Sequence, residues 1–306
     1  MGCFVGKAIF VTGGSGFIGK YVVQNLLEKK EKVIVLVRDK PKYAAQGDEI
    51  VVEGNLGELA PWKETLKQHS IGACIHLAWE GIPDYSYEMS KKNLVYGLHV
   101  LDLCKEFGIG NLVITGSCWE YKEPKGRISV NHPVTYEKPF QAAKNSLRMM
   151  AHAFCKEQGI RFHWLRLFYV YGPGQREGAL IPYIIKCFKE GKQPELKGAY
   201  NKNDFVYVED VAEAIVESVR KCDFPELVNV GSGASTQVSD IVKMVAKCTG
   251  SKFVASTQQR AVDNHTDFYV DTIELRQVFP CRAFVGMEQG IRETLGTCAG
   301  KWGSKH

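Results

Sequence analysis

Three glycines offer the clearest chemistry in the chain. The run Thr12-Gly13-Gly14-Ser15-Gly16-Phe17-Ile18-Gly19 sets them at 13, 16 and 19, a G-x-x-G-x-x-G spacing. It stands between KAIFVTGG, whose continuous apolar residues predict a buried strand, and GFIGKYVVQNLLEKK, whose Phe17, Val22, Leu26 and Leu27 lie near one helical face. There, glycines let the backbone turn tightly and approach a pyrophosphate, which rests on the helix N-terminus. A glycine turn without a ligand is the bland alternative, and the strand–loop–helix context argues against it. The ten cysteines form no C-x-x-C pair and no zinc-finger spacing with histidine, so no metal site is expected. Cys118 has no histidine nearby in sequence to activate it and reads as an inert, partly buried thiol.

A loop of this kind needs a sheet to hold it. KVIVLVR, EIVVEGN and ACIHLA read as the next strands, with LAPWKETLKQH a short helix between the last two. A long helix from about 87 to 107 leads into the strand NLVITGS. The helix KPFQAAKNSLRMMAHAFCKEQ follows, then one strand, RFHWLRLFYVYG. Regular alternation of strand and helix predicts an α/β fold, a Rossmann-type doubly wound parallel sheet. After Gly172 the rhythm changes. FVYVEDVAEAIVESVRK reads as one strand–helix unit returning to the large domain, and the tail from Glu226 as short strands with two helices. The expected division is a dinucleotide-binding domain over 1–172, with 203–225 returning to it. A smaller, interleaved C-terminal substrate lobe takes 173–202 and 226–306.

The totals suit a globular chain of 306 residues with 45% hydrophobic and 24% charged residues. The net charge of +5 is scattered, which suits an anionic small molecule and predicts no nucleic-acid partner. No run of 18 apolar residues is present to span a bilayer, and MGCFVGKAIFVTGG enters a strand rather than a signal peptide. A cytoplasmic chain with reduced thiols is therefore expected.

Further segments join the glycine loop in order: HLAW at 76–79, Asn93, ITGSCWEY at 114–121, Lys144, LRLFYVYGPGQ at 165–175, NDFVYVEDVAEAI at 203–215 and NVGSG at 229–233. Together they resemble the extended, nucleotide-sugar branch of the short-chain dehydrogenase/reductase superfamily, the NAD-dependent epimerase/dehydratase family, over nearly the whole chain. The resemblance implies cofactor contacts from Gly13, Gly16, Phe17, Ile18, Arg38, Asn55, Leu56, Leu77, Ala78 and Lys144. NAD-binding relatives carry an acidic residue at the end of the second strand for the ribose 2′-hydroxyl. Here Val37 stands there, followed by Arg38 and Asp39. An arginine suits a 2′-phosphate, so NADP(H) is expected, with NAD(H) the second choice if Asp39 takes the ribose.

The superfamily's chemistry rests on a Ser/Thr with Tyr-x-x-x-Lys. Tyrosine trades a proton with the substrate oxygen, lysine binds the nicotinamide ribose and lowers the tyrosine pKa, and Ser/Thr orients the carbonyl. Ser117 and Lys144 match, but the residue four before Lys144 is Phe140, and the nearest tyrosine, Tyr136, lies ahead of Pro139. Three readings stay open: an engineered Tyr-to-Phe variant, a natural enzyme using Cys118, Tyr136 or a water, and a non-catalytic dinucleotide-binding protein.

For the substrate, the resemblance implies contacts from Ser117, Cys118, Trp119, Tyr169 and Leu180. It also implies an Arg-x-x-Asp element, Arg260 on a diphosphate and Asp263 on a ribose, with Pro182, Lys197 and Tyr200 as weaker contacts. Where 4,6-dehydratases carry Asp-Glu after the active-site Thr, this chain has Cys118-Trp119, which disfavours dehydration. HLAWEG with GSCWEY most resembles reductases of nucleoside-diphosphate 4-keto-6-deoxysugars. The expectation is NADPH-dependent reduction of the C4 ketone, disabled if position 140 must carry tyrosine, with an NAD-dependent nucleotide-sugar 4-epimerase as the alternative. A homodimer is expected through helices 87–107 and 140–157, whose surplus apolar positions include Leu94, Leu98, Leu101, Met149, Met150 and Phe154. The acids of 204–210 are expected to cap the next helix.

Overall fold

The computed structural model describes residues 6–196, 198–250, 266–280 and 282–300. In chain order the elements of its first half are β1 (Ala8–Thr12), α1 (Phe17–Glu28), β2 (Val33–Val37), β3 (Ile50–Glu53), α2 (Ala60–Leu66), β4 (Ile71–His76), α3 (Tyr87–Glu106) and β5 (Asn111–Ser117). Then come β6 (Gly126–Ile128), α4 (Pro139–Gln158), β7 (Arg161–Leu167), β8 (Tyr169–Tyr171), α5 (Leu180–Lys189), β9 (Lys202–Tyr207) and α6 (Val208–Arg220). The remainder is β10 (Leu227–Val230), β11 (Ser235–Gln237), α7 (Val238–Thr249), β12 (Phe268–Val270), α8 (Ile273–Val278) and α9 (Met287–Gly300).

Seven strands form one sheet in the order β10-β7-β5-β4-β1-β2-β3. Every pairing from β7 through β3 is parallel. The order runs outward in both directions from β1 and β4, which makes their C-terminal ends the topological switch point where α/β folds bind ligands. Every residue of β1, β2 and β4 is buried, as expected where helices cover both faces. The core of this region joins Phe10, Ile34, Leu66, Cys74, Leu103, Leu112, Leu147 and Trp164. At Gly97 of α3 a Cβ would lie 2.5 Å from Leu147 of α4, so the missing side chain lets these two helices approach closely.

The chain divides into two compact units, 1–122 with 133–167 and 212–228, and 123–132 with 168–211 and 229–306. The second has its own sheet, β11-β9-β8, a parallel pair β6–β12, and a core that includes Tyr171, Ile181, Ile184, Phe205, Tyr207, Ile241 and Val245.

Several local expectations differ from the structure. The run 161–172 is two strands in different sheets rather than one: the Phe168 amide still donates to Val230 O of β10 at 2.9 Å, and after it β8 pairs with β9 in the second unit's sheet. β9 likewise belongs to the second unit, through its pairing with β8 and β11, and the stretch that returns to the first is 212–228. Residues 123–132 are also part of the second unit, through the pairing of β6 with β12. The tail carries three helices among the described residues rather than two.

Asp204 does not cap a helix. It accepts bonds from the amides of Ser232, Gly233 and Val270 and from Ser232 Oγ at 2.7–3.0 Å, tying the NVGSG loop to β12. Asp210 lies in the first turn of α6 but accepts from Arg282 and from the Val285 amide. Cys74, Cys104, Cys118, Cys155 and Cys187 are free and buried. Cys222 is disulfide-bonded, contrary to the all-thiol expectation, since spacing in sequence does not reveal which sulfurs meet in space. Among the described residues no helix is long and apolar enough to cross a membrane.

Candidate active site

The glycine loop joins β1 to α1 as a cradle too tight for side chains. Gly13 has φ +76°, and a Cβ on it would meet the Ala78 amide at 2.6 Å; one on Gly19 would meet Gly13 O at 2.0 Å. Gly16 caps α1 without a side-chain bond, so the helix N-terminus faces the loop with no cap side chain in front of it. A groove here is lined by Thr12, Gly13, Ser15, Gly16, Leu36, Arg38, Gly54, Asn55, Leu56, Leu77, Ala78, Trp79, Glu80 and Tyr96. These features fit a dinucleotide.

Of the expected cofactor residues, Gly13, Gly16, Arg38, Asn55, Leu56, Leu77 and Ala78 share this groove. Phe17 and Ile18 open α1 beside it, and Lys144 stands on α4. Sequence reasoning missed Trp79, Glu80 and Tyr96. Glu80 bears on cofactor choice: its carboxylate bonds Arg38 Nη1 at 2.9 Å and Lys92 Nζ at 2.7 Å. The backbone around it is held by Asn93, which accepts from the Glu80 amide at 2.7 Å and donates to its carbonyl at 3.1 Å. That explains the asparagine on α3.

Ser117 ends β5 and caps a single 3₁₀ turn, Cys118–Glu120, its Oγ accepting from the Trp119 amide at 3.2 Å. Its own amide donates to Glu120 Oε1 at 2.7 Å. Glu120 is fully buried and takes Arg166 Nε at 2.7 Å and Trp164 Nε1 at 3.1 Å; Arg166 in turn donates to the Tyr121 hydroxyl at 3.0 Å. This buried ion pair forms the floor beneath Ser117. Gly116 completes it, because a Cβ there would lie 2.2 Å from Trp164 Nε1 and 2.3 Å from Glu120 Oε1.

Lys144 is buried one helical turn after Phe140. Its Nζ donates to Thr115 O at 2.8 Å and lies 3.9 Å from the centroid of Trp79. Burial pulls its pKa down to about 8, against the opposing pull of the Glu120 charge. Behind the groove, His76 is buried with Nδ1 2.7 Å from Thr12 Oγ1, and burial, then the Lys144 charge, pushes it down to about 3. His76 is thus a neutral imidazole at physiological pH and no imidazolium acid.

Phe140 is buried at the start of α4 in a cluster of rings. Its centroid lies 5.3 Å from Trp79, 5.1 Å from Tyr85 and 6.1 Å from Trp119, each edge to face. Of the donors considered from sequence, Cys118 is buried in the 3₁₀ turn and Tyr136 stands 53% exposed ahead of α4. Tyr85 was not singled out, and nothing in its sequence surroundings marks it. In the second unit, Tyr169 is half-buried against Phe205 and Phe268, and Leu180 opens α5 against that unit's core. Lys197, Arg260 and Asp263 lie outside the described residues.

The model of the NAD dependent epimerase/dehydratase family matches residues 9–231. A trifunctional UDP-glucose 4,6-dehydratase/UDP-4-keto-6-deoxy-D-glucose 3,5-epimerase/UDP-4-keto-L-rhamnose-reductase of Arabidopsis thaliana is 26% identical over 96% of this chain, which spans only 48% of that relative's length. The dTDP-6-deoxy-L-talose 4-dehydrogenase (NAD(+)) of Aggregatibacter actinomycetemcomitans is 28% identical over 69% of this chain and 79% of its own. Among solved structures, an NAD dependent NDP-hexosamine 5,6-dehydratase involved in tunicamycin biosynthesis superposes with a TM-score of 0.82 at 28% identity, covering 96% of this chain and 98% of that one.

Proposed function

The chain belongs to the NAD dependent epimerase/dehydratase family, a family of nucleotide-sugar enzymes, and on that footing we propose that it reduces the C4 ketone of a nucleoside-diphosphate 4-keto-6-deoxysugar. The carrying observation is the state of Glu120, the first acid after Ser117. It is fully buried and committed to Ser117 N, Trp164 and Arg166, so this turn offers no carboxylate for the acid/base work that dehydration needs. A site that orients a carbonyl and a dinucleotide without that acid suits reduction. Chemistry at C4 of such sugars occurs among the relatives, in the reductase activity of the trifunctional Arabidopsis protein and in the 6-deoxytalose 4-dehydrogenase, beside dehydratases.

A nicotinamide dinucleotide bound here would be the source of a hydride for the sugar carbon. The glycine loop and the N-terminus of α1 would hold its pyrophosphate, and Lys144 the nicotinamide ribose. Ser117 Oγ would hold the ketone oxygen, fixed in place by the 3₁₀ turn and the ion pair beneath it. For the cofactor we keep NADP(H) ahead of NAD(H). Val37 leaves no carboxylate at the end of β2, and Arg38, 70% exposed on the groove, offers a guanidinium to a 2′-phosphate. Glu80 would share that arginine and so temper the preference. Tyr169, Leu180, Arg260 and Asp263 are proposed to receive the sugar nucleotide, and a homodimer to form through α3 and α4.

The test follows absorbance of NADPH, and separately NADH, with dTDP-4-keto-6-deoxyglucose for the wild-type chain and Phe140→Tyr. Consumption by either chain, with NADPH at the lower KM, is the expected result. If neither consumes either cofactor while NDP-hexoses interconvert, the activity is 4-epimerisation instead.

A further inference from the structure

We propose, building on the reductase reading, that Tyr85 is the proton donor to the sugar oxygen, replacing the hydroxyl that Phe140 lacks. Tyr85 packs on the elements that build the reaction centre. Its ring centroid is 5.1 Å from Phe140, at 74°, and 5.0 Å from Trp119. Trp119 is tied through its amide to Ser117 Oγ, and Phe140 stands one turn before Lys144. Phe140 also meets Trp79, which lines the dinucleotide groove and faces the Lys144 ammonium at 3.9 Å. A phenol displaced from α4 to the facing loop therefore keeps the company that the superfamily's tyrosine would keep.

The loop that carries Tyr85 is held at both flanks. The Asp84 amide donates to Gly81 O at 2.6 Å and the Ser86 amide to Asp84 Oδ1 at 2.9 Å, while Ser86 Oγ caps α3 by accepting from Met89 N. Residue 85 thus lies within the turn closed between Asp84 and Ser86, and its ring is set by its contacts with Phe140 and Trp119. Tyr85 itself is only partly buried. Phe140, by contrast, is 6% exposed and carries no proton. In the step, hydride addition at C4 sends the carbonyl electron pair to oxygen. That oxygen takes the proton of Tyr85 Oη as the phenol O–H bond breaks, and the phenolate recovers a proton from water. The sugar is reduced and the dinucleotide oxidised.

Four chains are compared with NADPH and dTDP-4-keto-6-deoxyglucose: wild type, Tyr85→Phe, Phe140→Tyr and the double variant. The expected result is an active wild type, a fall of ~10²–10⁴-fold in kcat for Tyr85→Phe with KM within about threefold, and recovery in the double variant to within about tenfold. Tyr85→Phe keeping wild-type kcat overturns the assignment and leaves the reductase reading standing. So does an inactive wild type beside an active Phe140→Tyr. A second measurement needs no turnover: the ¹⁹F resonance of 3-fluorotyrosine placed at 85, read with NADP⁺ and either dTDP-glucose or dTDP. A shift with the sugar nucleotide but not with dTDP places the phenol at the sugar, even where all four chains are inactive and the reductase reading fails. No shift with either overturns Tyr85.

Discussion

Lys144 carries the most consequential single charge in the first unit. The Glu120 charge favours the ammonium, and the Thr115 carbonyl and the Trp79 face also receive it, yet burial outweighs the Glu120 charge and brings its pKa from 10.5 down to about 8. The folded value is the lower one, so between about 8 and 10.5 the unfolded chain binds more protons than the folded chain. The cost of the buried charge is therefore complete below about pH 8 and fades as pH rises toward 10.5. Without dinucleotide, Lys144→Met should be more stable than wild type at pH 7 by roughly 2–3 kcal/mol, less whatever the Thr115 bond contributes. That advantage should shrink as pH is raised to 10.5. Urea melts of both chains at the two ends of this range measure it, and parallel curves at all pH values would remove the claim. The same substitution should abolish turnover, a trade of function for stability that fits a lysine kept for chemistry.

One element, the 3₁₀ turn after β5, converts strand geometry into a site. The position of Ser117 was legible in NLVITGS, because an apolar strand that ends on a serine puts it at the strand's C-terminal end, where α/β sheets carry their sites. What supports it was not legible. Arg166 lies 46 residues from Glu120 and Trp164 lies 44 from it, so only the parallel register of β5 with β7, which pairs Ile114 with Trp164 and Gly116 with Arg166, brings them under Ser117. Likewise Phe140 was visible as a departure from Tyr-x-x-x-Lys, but the ring of Tyr85 against it comes from a separate loop. The support makes a sharp prediction about Gly116. Its backbone conformation is ordinary for a strand, so only the absent Cβ matters, and Gly116→Ala drives a methyl into Trp164 and Glu120. The cost should be about 1–3 kcal/mol from overpacking, with kcat falling further than stability explains because Ser117 shifts with the turn. Thermal melts alongside kcat measure both, and an unchanged kcat would show that the floor does not position Ser117.

At the scale of the whole chain, the parallel sheet was legible because strands buried on both faces read as unbroken apolar runs. The interleaved second lobe was expected too, but its strand pairings were not legible, since β6, β8, β11 and β12 are three residues each, too short for any period to show, and β6 pairs with β12 from the far end of the chain. The outer faces of α3 and α4 raise a question that belongs to more than one chain. Leu101 is buried and Leu94, Leu98 and Phe154 pack against the core, so these apolar positions are explained within one copy. Met149 and Met150 are not, being 56% and 55% exposed on α4, and Val95 on α3 is 40% exposed. Unbranched, adaptable side chains of this kind suit a helix–helix interface, where each exposed methionine would gain on the order of 1–2 kcal/mol on burial. A second copy of the same helices is the self-complementary partner that a two-fold axis supplies. Light scattering behind size exclusion should therefore give twice the mass of one chain. Met149→Lys combined with Met150→Lys should give one chain's mass and a lower, concentration-independent melting temperature, since the stabilisation from association is lost. A wild type that runs as a single chain, or a double variant that still runs as two, would place the dimer elsewhere or remove it.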